Sequence, residues 1–284
     1  MSHGGGARGT VSLMGEMCAI YYFSATGNSL AVALELAQKL DAPPPISIPG
    51  SLILDDPYAA AREASQVGFV FPVHRATLPE MVRGFIKQMP KRPDCYYFAI
   101  STYTIFGCNE FWDIDELLGA DGSFLNYAAG VKTMGSVGLI DPDSRTMARR
   151  LASMTEQVGE IAEAVGNYQE NCFTRSSKLL GNLVKTYTDV LRRAIVFRVD
   201  RRCTKCGICA QVCPAQNITI SEEDGAAPTR SDRCEACYAC IHWCPANAIA
   251  ANSRLHSHYH HPHIKPEQLN PSRVAASEQG TPLS

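Results

Sequence analysis

The chain has 284 residues, of which 45% are apolar and 19% are charged, and its formal net charge is -2. This length allows a sizeable hydrophobic core and leaves room for two modest domains. No run approaches the roughly 18 consecutive apolar residues of a membrane helix, and the charge balance gives no electrostatic footprint for nucleic acid, so we expect neither a membrane span nor a nucleic-acid partner.

Residues 1–16 are expected to form a disordered leader. They are rich in glycine, and Glu16 lies just before the first apolar run, which is a poor match to an export signal. Met14 and Met17 are alternative start residues. Without an export signal we expect a reducing, cytoplasmic compartment, where closely spaced cysteines indicate metal binding rather than disulfides.

The segment from 17 to 170 has the alternating pattern of an α/β fold with a doubly wound parallel sheet. Short apolar runs suited to buried strands lie at 18–23, 67–71 and 96–101, and a fifth strand is expected within 124–141. Helical stretches alternate with these runs, as the fold requires. In such sheets ligands bind at the carboxyl ends of the strands.

The first helix and the turn before it are the most informative part of this segment. The helix is expected at 29–40, with four residues on its apolar face: Leu30, Ala33, Leu34 and Ala37. The turn is made of small residues, most of them polar: Ser24, Ala25, Thr26, Gly27, Asn28 and Ser29. Backbone N–H groups and hydroxyls at a helix N-terminus can bind a monophosphate without a cation. The same residue types cap ordinary helices, so capping alone stays an alternative.

Residues 22–29, Tyr-Phe-Ser-Ala-Thr-Gly-Asn-Ser, resemble the phosphate loop of flavodoxins, which bind flavin mononucleotide (FMN) in a sheet of this type. The resemblance extends to about residue 140 and implies that loops at 72–79 and 102–108 flank the flavin ring. The ring contacts that it implies are Thr102, Tyr103, Phe106 and Gly107, with Tyr103 or Phe106 as the stacking partner. Flavodoxins often have glycine directly after the tyrosine, where this chain has Thr104.

Two long helical stretches follow, at 144–168 and 176–194. The first continues the sheet domain, and the second lies in a connecting helix, 171–197. No long flexible linker separates the two halves of the chain, so we expect the domains to be docked.

Eight of the twelve cysteines form two identical runs, Cys-x-x-Cys-x-x-Cys-x-x-x-Cys-Pro. The first run contains Cys203, Cys206, Cys209 and Cys213, and the second contains Cys234, Cys237, Cys240 and Cys244. In this spacing the first three thiolates hold one 4Fe-4S cluster and the fourth ligates the other cluster. Cys244 is therefore expected on the first cluster and Cys213 on the second. Paired zinc sites are the alternative, but they leave the third cysteine and the Cys-Pro of each run unexplained.

These runs resemble bacterial-type two-cluster ferredoxins over about residues 198–250, and we expect a small α+β domain of that kind at 198–252. Ile218, Ile220 and Pro228 predict the hairpin between the runs, and Ala246 to Ile249 echo the family's ending. The whole chain resembles fusions of a flavodoxin and a ferredoxin found in anaerobes.

The tail, 253–284, is rich in histidine, a composition that can bind metal. Similar Tyr-His-His-Pro tails occur in the fusion family without a third metal, so we expect the tail to fold back over the ferredoxin or the flavin domain. His242 and Trp243 lie between two ligands of the second run, where bulky side chains can exclude water.

For the remaining cysteines and for the loop at His74 and Arg75, a structural role is weighed against a functional one. Cys18 and Cys95 lie beside strands and are expected to pack in the core, whereas Cys172 has no assigned role. Cys108 is either a packed side chain or a redox thiol in the flavin loop. His74 and Arg75 either touch the flavin or belong to a solvated loop.

Three functions fit these residues. The first is a relay of single electrons between two 4Fe-4S clusters and FMN, with redox proteins as donor and acceptor and no general acid or base. The second is an FMN-dependent reductase of a small organic acceptor bound near His74, Arg75 and Cys108. The third is an iron–sulfur protein that has lost flavin binding.

Overall fold

A computed structural model describes residues 17–74, 77–104, 110–135, 144–173, 197–221, 227–250 and 258–278. The predicted leader, the predicted helix at 176–194, and Arg75, Phe106, Gly107 and Cys108 lie outside these residues.

Five parallel strands form the main sheet. They are β1 (Cys18–Tyr22), β2 (Ile46–Ser47), β3 (Gln66–Pro72), β4 (Tyr96–Tyr103) and β5 (Leu125–Lys132). Their order across the sheet is β2-β1-β3-β4-β5, and every pairing is parallel. This is the flavodoxin-like strand order, so the predicted doubly wound sheet is confirmed.

Helices cover both faces of the sheet. They are α1 (Asn28–Lys39), α2 (Ile48–Ser51), α3 (Ala59–Glu63), α4 (Glu80–Gln88), α5 (Glu110–Gly119) and α6 (Ser144–Gly166). Because side chains alternate along a strand, Ile20 and Val70 pack towards α1 and α6, whereas Tyr21 and Phe69 pack towards α4 and α5. None of the described helices combines the length and the apolar composition that crossing a bilayer requires.

The predicted apolar face of α1 is wrong at one residue. Leu30, Ala33 and Ala37 are buried as expected, but Leu34 is 39% exposed. Val32 and Leu36 are fully buried instead, so the buried stripe is rotated around the helix relative to the prediction. The rotation has a physical reason, because α1 packs between the sheet and α6, and the contact surface of both decides which side is covered.

The second unit of the chain is built from very short elements. They are β6 (Arg198–Val199), α7 (Ile208–Gln211), β7 (Ile218–Thr219), β8 (Thr229–Arg230), α8 (Ala239–His242) and β9 (Ile249–Ala250). β6 pairs with β9 and β7 with β8, both antiparallel. The predicted hairpin between the cysteine runs is confirmed by the β7–β8 pair.

The tail folds back as expected and touches both units. It contains a 3-10 helix (Pro266–Leu269) and a final helix, α9 (Pro271–Glu278), which contacts α2 of the sheet domain. Trp243 of the second unit and Ile264 of the tail belong to the same apolar cluster as α1 and α6. The two units are therefore packed against each other, as the absence of a long linker predicted.

Candidate functional site: two cysteine groups beside a phosphate-type loop

The first cysteine group surrounds a small cavity. Cys203, Cys206 and Cys209 line it together with Cys244 from the second run, as the crossed arrangement predicts. No three His, Cys, Asp or Glu side chains in the described part of the chain converge as the ligands of a single ion do. The four cysteines line one common cavity.

The second cysteine group is identified by its mutual electrostatic interactions. Burial is the main cause that raises the pKa of the Cys240 thiol to about 12. Repulsion from negative charge on the neighbouring Cys213 and Cys234 adds to the rise. Burial also raises the pKa of Cys237 well above its usual value, with Cys240, Cys213 and Cys234 adding to the effect. Ionisation of Cys237 and Cys240 therefore needs positive charge nearby, which iron supplies when a cluster is bound.

Both cysteine runs are wrapped by the same backbone conformations. Residues at equivalent positions of the two runs have positive φ: Lys205 and Ala236, Gly207 and Tyr238, and Gln216 and Asn247. Five of these six are not glycine, so each accepts a conformation that costs free energy for a side-chain-bearing residue. Such turns aim successive N–H groups at one point, which is a geometry for binding an anion.

Backbone N–H groups already point at several of the sulfurs. The amides of Asn217, Ala236 and Ala248 each donate to a cysteine sulfur at 3.3 Å: Cys213, Cys234 and Cys244 respectively. Hydrogen bonds of this kind favour the thiolate and tune the potential of a bound cluster. The donor set and its amides therefore fit 4Fe-4S clusters.

The loop before α1 is buried and has the form of a phosphate site. Gly27 is the N-cap of α1, has φ of 92°, and donates its N–H to Ser24 Oγ at 3.2 Å. Because glycine has no side chain, α1 lacks an N-cap acceptor, so its first amides are left for another partner. The glycine N-cap leaves the first turn of α1 to other groups, and a phosphate is one that fits there.

Residues from the ends of β4 and β5 meet this loop at the carboxyl edge of the sheet. The Ser29 and Thr102 hydroxyl oxygens are 2.8 Å apart, and Asn28 Nδ2 donates to the Met134 carbonyl at 2.9 Å. The Tyr103 ring lies against Gly130, where an added Cβ would come within 2.6 Å of Tyr103 Cε1. Of the predicted ring contacts, Thr102 and Tyr103 are therefore brought to this edge, and Phe106 and Gly107 lie outside the described residues.

His74, predicted beside the flavin, packs its ring edge-on against Phe23, with the ring centroids 5.6 Å apart. The backbones of His74 and Thr77 are joined by two hydrogen bonds in an isolated antiparallel β-bridge. Cys18 and Cys95 are buried, and burial raises their pKa values to about 12 and about 11, so core packing is confirmed for both. Cys172 is exposed.

Four residues of the loop's surroundings were not predicted. Trp243 Nε1 donates to the Ala25 carbonyl at 2.9 Å, and the His261 backbone N–H donates to the Thr26 carbonyl at 2.8 Å. Two further residues of the tail reach the loop. Tyr259 donates a hydrogen bond to Asn28, and Ile264 lies beside Gly27. The bulk of Trp243 and the unusual Tyr-His-His-Pro run of the tail were the available signals, but neither indicates a partner in the sequence.

Comparison with known protein families identifies the second unit most directly. Residues 195–245 match the family of 4Fe-4S dicluster domains, so this part of the chain is a ferredoxin-type domain. No curated protein matches the chain.

Several solved structures resemble the chain. They include a flavodoxin from Streptococcus pneumoniae TIGR4, with 14% identity, 51% of this chain and 99% of that chain covered, and a TM-score of 0.33. A WrbA-like flavodoxin from Agrobacterium tumefaciens has 15% identity, 54% and 99% coverage, and a TM-score of 0.36. Rubredoxin oxygen:oxidoreductase from Desulfovibrio gigas has 14% identity, 52% and 36% coverage, and a TM-score of 0.31.

It is the strand order of the parallel sheet that identifies the N-terminal fold as flavodoxin-like. The chain combines this fold with a ferredoxin-type domain, in the order of the flavodoxin and ferredoxin fusions that it resembles.

Proposed function

We propose that the chain transfers single electrons between two 4Fe-4S clusters and a bound FMN. One cluster would be held by Cys203, Cys206, Cys209 and Cys244, and the other by Cys213, Cys234, Cys237 and Cys240. The loop from Ser24 to Ser29 would hold the FMN phosphate, and Thr102, Tyr103, Phe106 and Gly107 would flank the ring. FMN, when bound, links one-electron centres to two-electron chemistry.

The observation that carries this proposal is the direct packing of the second cysteine group on the sheet domain. Cys237 contacts both apolar clusters of the sheet domain. The Met81 N–H donates to Glu235 Oε2 at 3.4 Å, and Trp243 donates to the phosphate-type loop. These contacts support a path from the second group to a flavin held by the loop before α1.

The first cysteine group is placed where electrons could enter from, or leave to, a partner protein. Cys206 is exposed and Cys203 is half-buried, whereas Cys237 is packed against the sheet domain. A redox protein can therefore approach the first group from solvent, while the second group serves the flavin side. The cytoplasm is the compartment that we propose, because exposed thiol ligands of this kind persist in a reducing environment.

Composition is the first test. Anaerobically purified protein should contain about eight iron atoms and eight acid-labile sulfides per chain, the content of two four-iron clusters, together with one acid-releasable FMN. Cys237→Ser should lower the iron content, whereas the matched variant Cys172→Ser, which changes an exposed cysteine outside the runs, should not. Protein without flavin would contradict the relay and leave an iron–sulfur protein.

Electron exchange is the second test. In an anaerobic titration with a chemical reductant, the absorbance of flavin and clusters should respond to added electrons in a common equilibrium. Flavin and clusters that do not exchange electrons would contradict the relay. Rapid turnover of a small organic acceptor would instead favour the reductase.

A further inference from the structure

We infer that residues 258–269, here called the strap, hold the loop before α1 in its phosphate-binding form, with Tyr259 as a positioning residue for Asn28. This inference rests on the proposed FMN site and adds a role for a part of the chain that lies about 230 residues away in sequence.

The contact between Tyr259 and Asn28 fixes the first residue of α1. Tyr259 is 4% exposed, and its hydroxyl donates to Asn28 Oδ1 at 2.8 Å. The Asn28 amide donates in turn to the Met134 carbonyl. Because both ends of the Asn28 side chain are engaged by the protein, the backbone N–H of Asn28 is the group left to face a ligand.

The strap and Trp243 hold the loop by its carbonyl groups. The Ala25 carbonyl accepts from Trp243, and the Thr26 carbonyl accepts from the His261 backbone. The described chain has no cis peptide bond, and in a trans peptide unit the C=O and the N–H point in opposite directions. The Thr26 N–H therefore points away from Trp243, towards the side where a phosphate would sit. The Gly27 N–H points away from the strap and donates to Ser24 Oγ.

Gly27 lets the strap approach this closely. A Cβ at Gly27 would lie 2.9 Å from Ile264 Cβ, which is closer than such atoms pack, and 3.0 Å from His261 Cβ, which is a very tight contact. The strap thus occupies the side of Gly27 on which any other residue would carry its side chain. His261 is 3% exposed, and burial, with His263 and His260 nearby, lowers its pKa to about 4, so the strap brings an uncharged imidazole to the loop.

The strap is itself anchored on the second cysteine run. His258 Nδ1 is 2.9 Å from the Ile241 carbonyl oxygen, and the Tyr259 N–H donates to His242 Nδ1 at 3.2 Å. The rings of His260 and Trp243 stack with centroids 4.1 Å apart. The order of the phosphate-type loop is therefore tied to the ferredoxin-type domain through the strap.

The test compares two flavins on the full chain with its clusters in place. Tyr259→Phe removes one hydrogen bond and keeps the ring, so the Kd for FMN should rise about tenfold. Riboflavin lacks the phosphate, so its Kd should stay unchanged, which a general loss of structure would not allow. The matched control Tyr127→Phe, at the other end of the sheet, should leave both Kd values unchanged.

Hydrogen exchange in flavin-free protein separates the inference from the proposed function. Tyr259→Phe should speed exchange of the amides of residues 26–29 without changing the iron content. An FMN Kd within twofold of the wild type, or an equal loss for riboflavin, would overturn the role of Tyr259. If wild-type protein binds no FMN, the proposed function fails; faster exchange in the variant would then still establish the strap contact, and unchanged exchange would overturn that as well.

Discussion

The sheet domain and the ferredoxin-type unit contrast in what fills their interiors. The sheet buries two large apolar clusters, with Phe69, Phe71 and Phe98 fully covered, and each such side chain stabilises the fold by roughly 1.5–3 kcal/mol. Among the described residues, the separate apolar cluster of the second unit has four buried members: Cys209, Ile218, Ile241 and Ile249. Because its described strands have only two residues each, we expect this unit to depend on bound metal for its interior far more than the sheet does.

Removal of one crossed ligand should have the largest effect. Cys213 belongs to the first run but lies with the second group, so Cys213→Ser should release iron and abolish amide protection across residues 197–250. The sheet, held by its own apolar clusters, should keep its protection. Native-state hydrogen exchange and iron analysis measure both effects. Full protection of the second unit with reduced iron content would show that its fold does not depend on metal.

A cavity in the sheet should destabilise the sheet domain and leave the clusters in place. We expect this effect to be of intermediate size. Phe69→Ala removes a fully buried ring of β3 and should lower the free energy of unfolding of the sheet by about 3–5 kcal/mol. The exposed Leu52 offers a control, since Leu52→Ala should change stability little. The visible absorbance of the clusters should persist in both variants. Loss of the clusters in Phe69→Ala alone would show that the two interiors are not independent.

The contact between the two regions should give the smallest effect. Trp243→Phe keeps an aromatic ring on His260 but leaves the buried Ala25 carbonyl without its indole donor. We expect the free energy of local opening at residues 24–29 to fall by about 1–3 kcal/mol, measured by hydrogen exchange. The other tryptophan provides the control, because Trp112→Phe on α5 should not alter exchange in this loop. Equal exchange in both variants would mean that the indole contact does not stabilise the loop.

Local patterns were sufficient to predict most of the elements. Apolar runs predicted β1, β3 and β4 because a strand buried on both faces is continuously apolar. The partly buried β5 has no such run, and it was expected from the flavodoxin resemblance instead. The pattern failed where packing rather than spacing decides, as at Leu34. The two-residue strand β2 and the short helix α2 had no apolar run long enough to be recognised.

In the candidate site, the eight cysteines were predicted from spacing, and the structure gathers them into the crossed groups. The left-handed residues that wrap them were not predicted, because Lys205, Ala236 and Tyr238 have no intrinsic preference for positive φ. That conformation follows from the closure of each loop around its sulfurs.

The sequence by itself determined which residue types occur in each turn: the hydroxyl-rich loop, the paired cysteine runs and the apolar strands. Only the tertiary structure decided that Trp243 and Tyr259 meet that loop, across 218 and 231 residues of chain respectively. The physical reason is range, since turn chemistry and periodicity act between near neighbours in sequence. Contacts between distant segments depend instead on how whole surfaces pack.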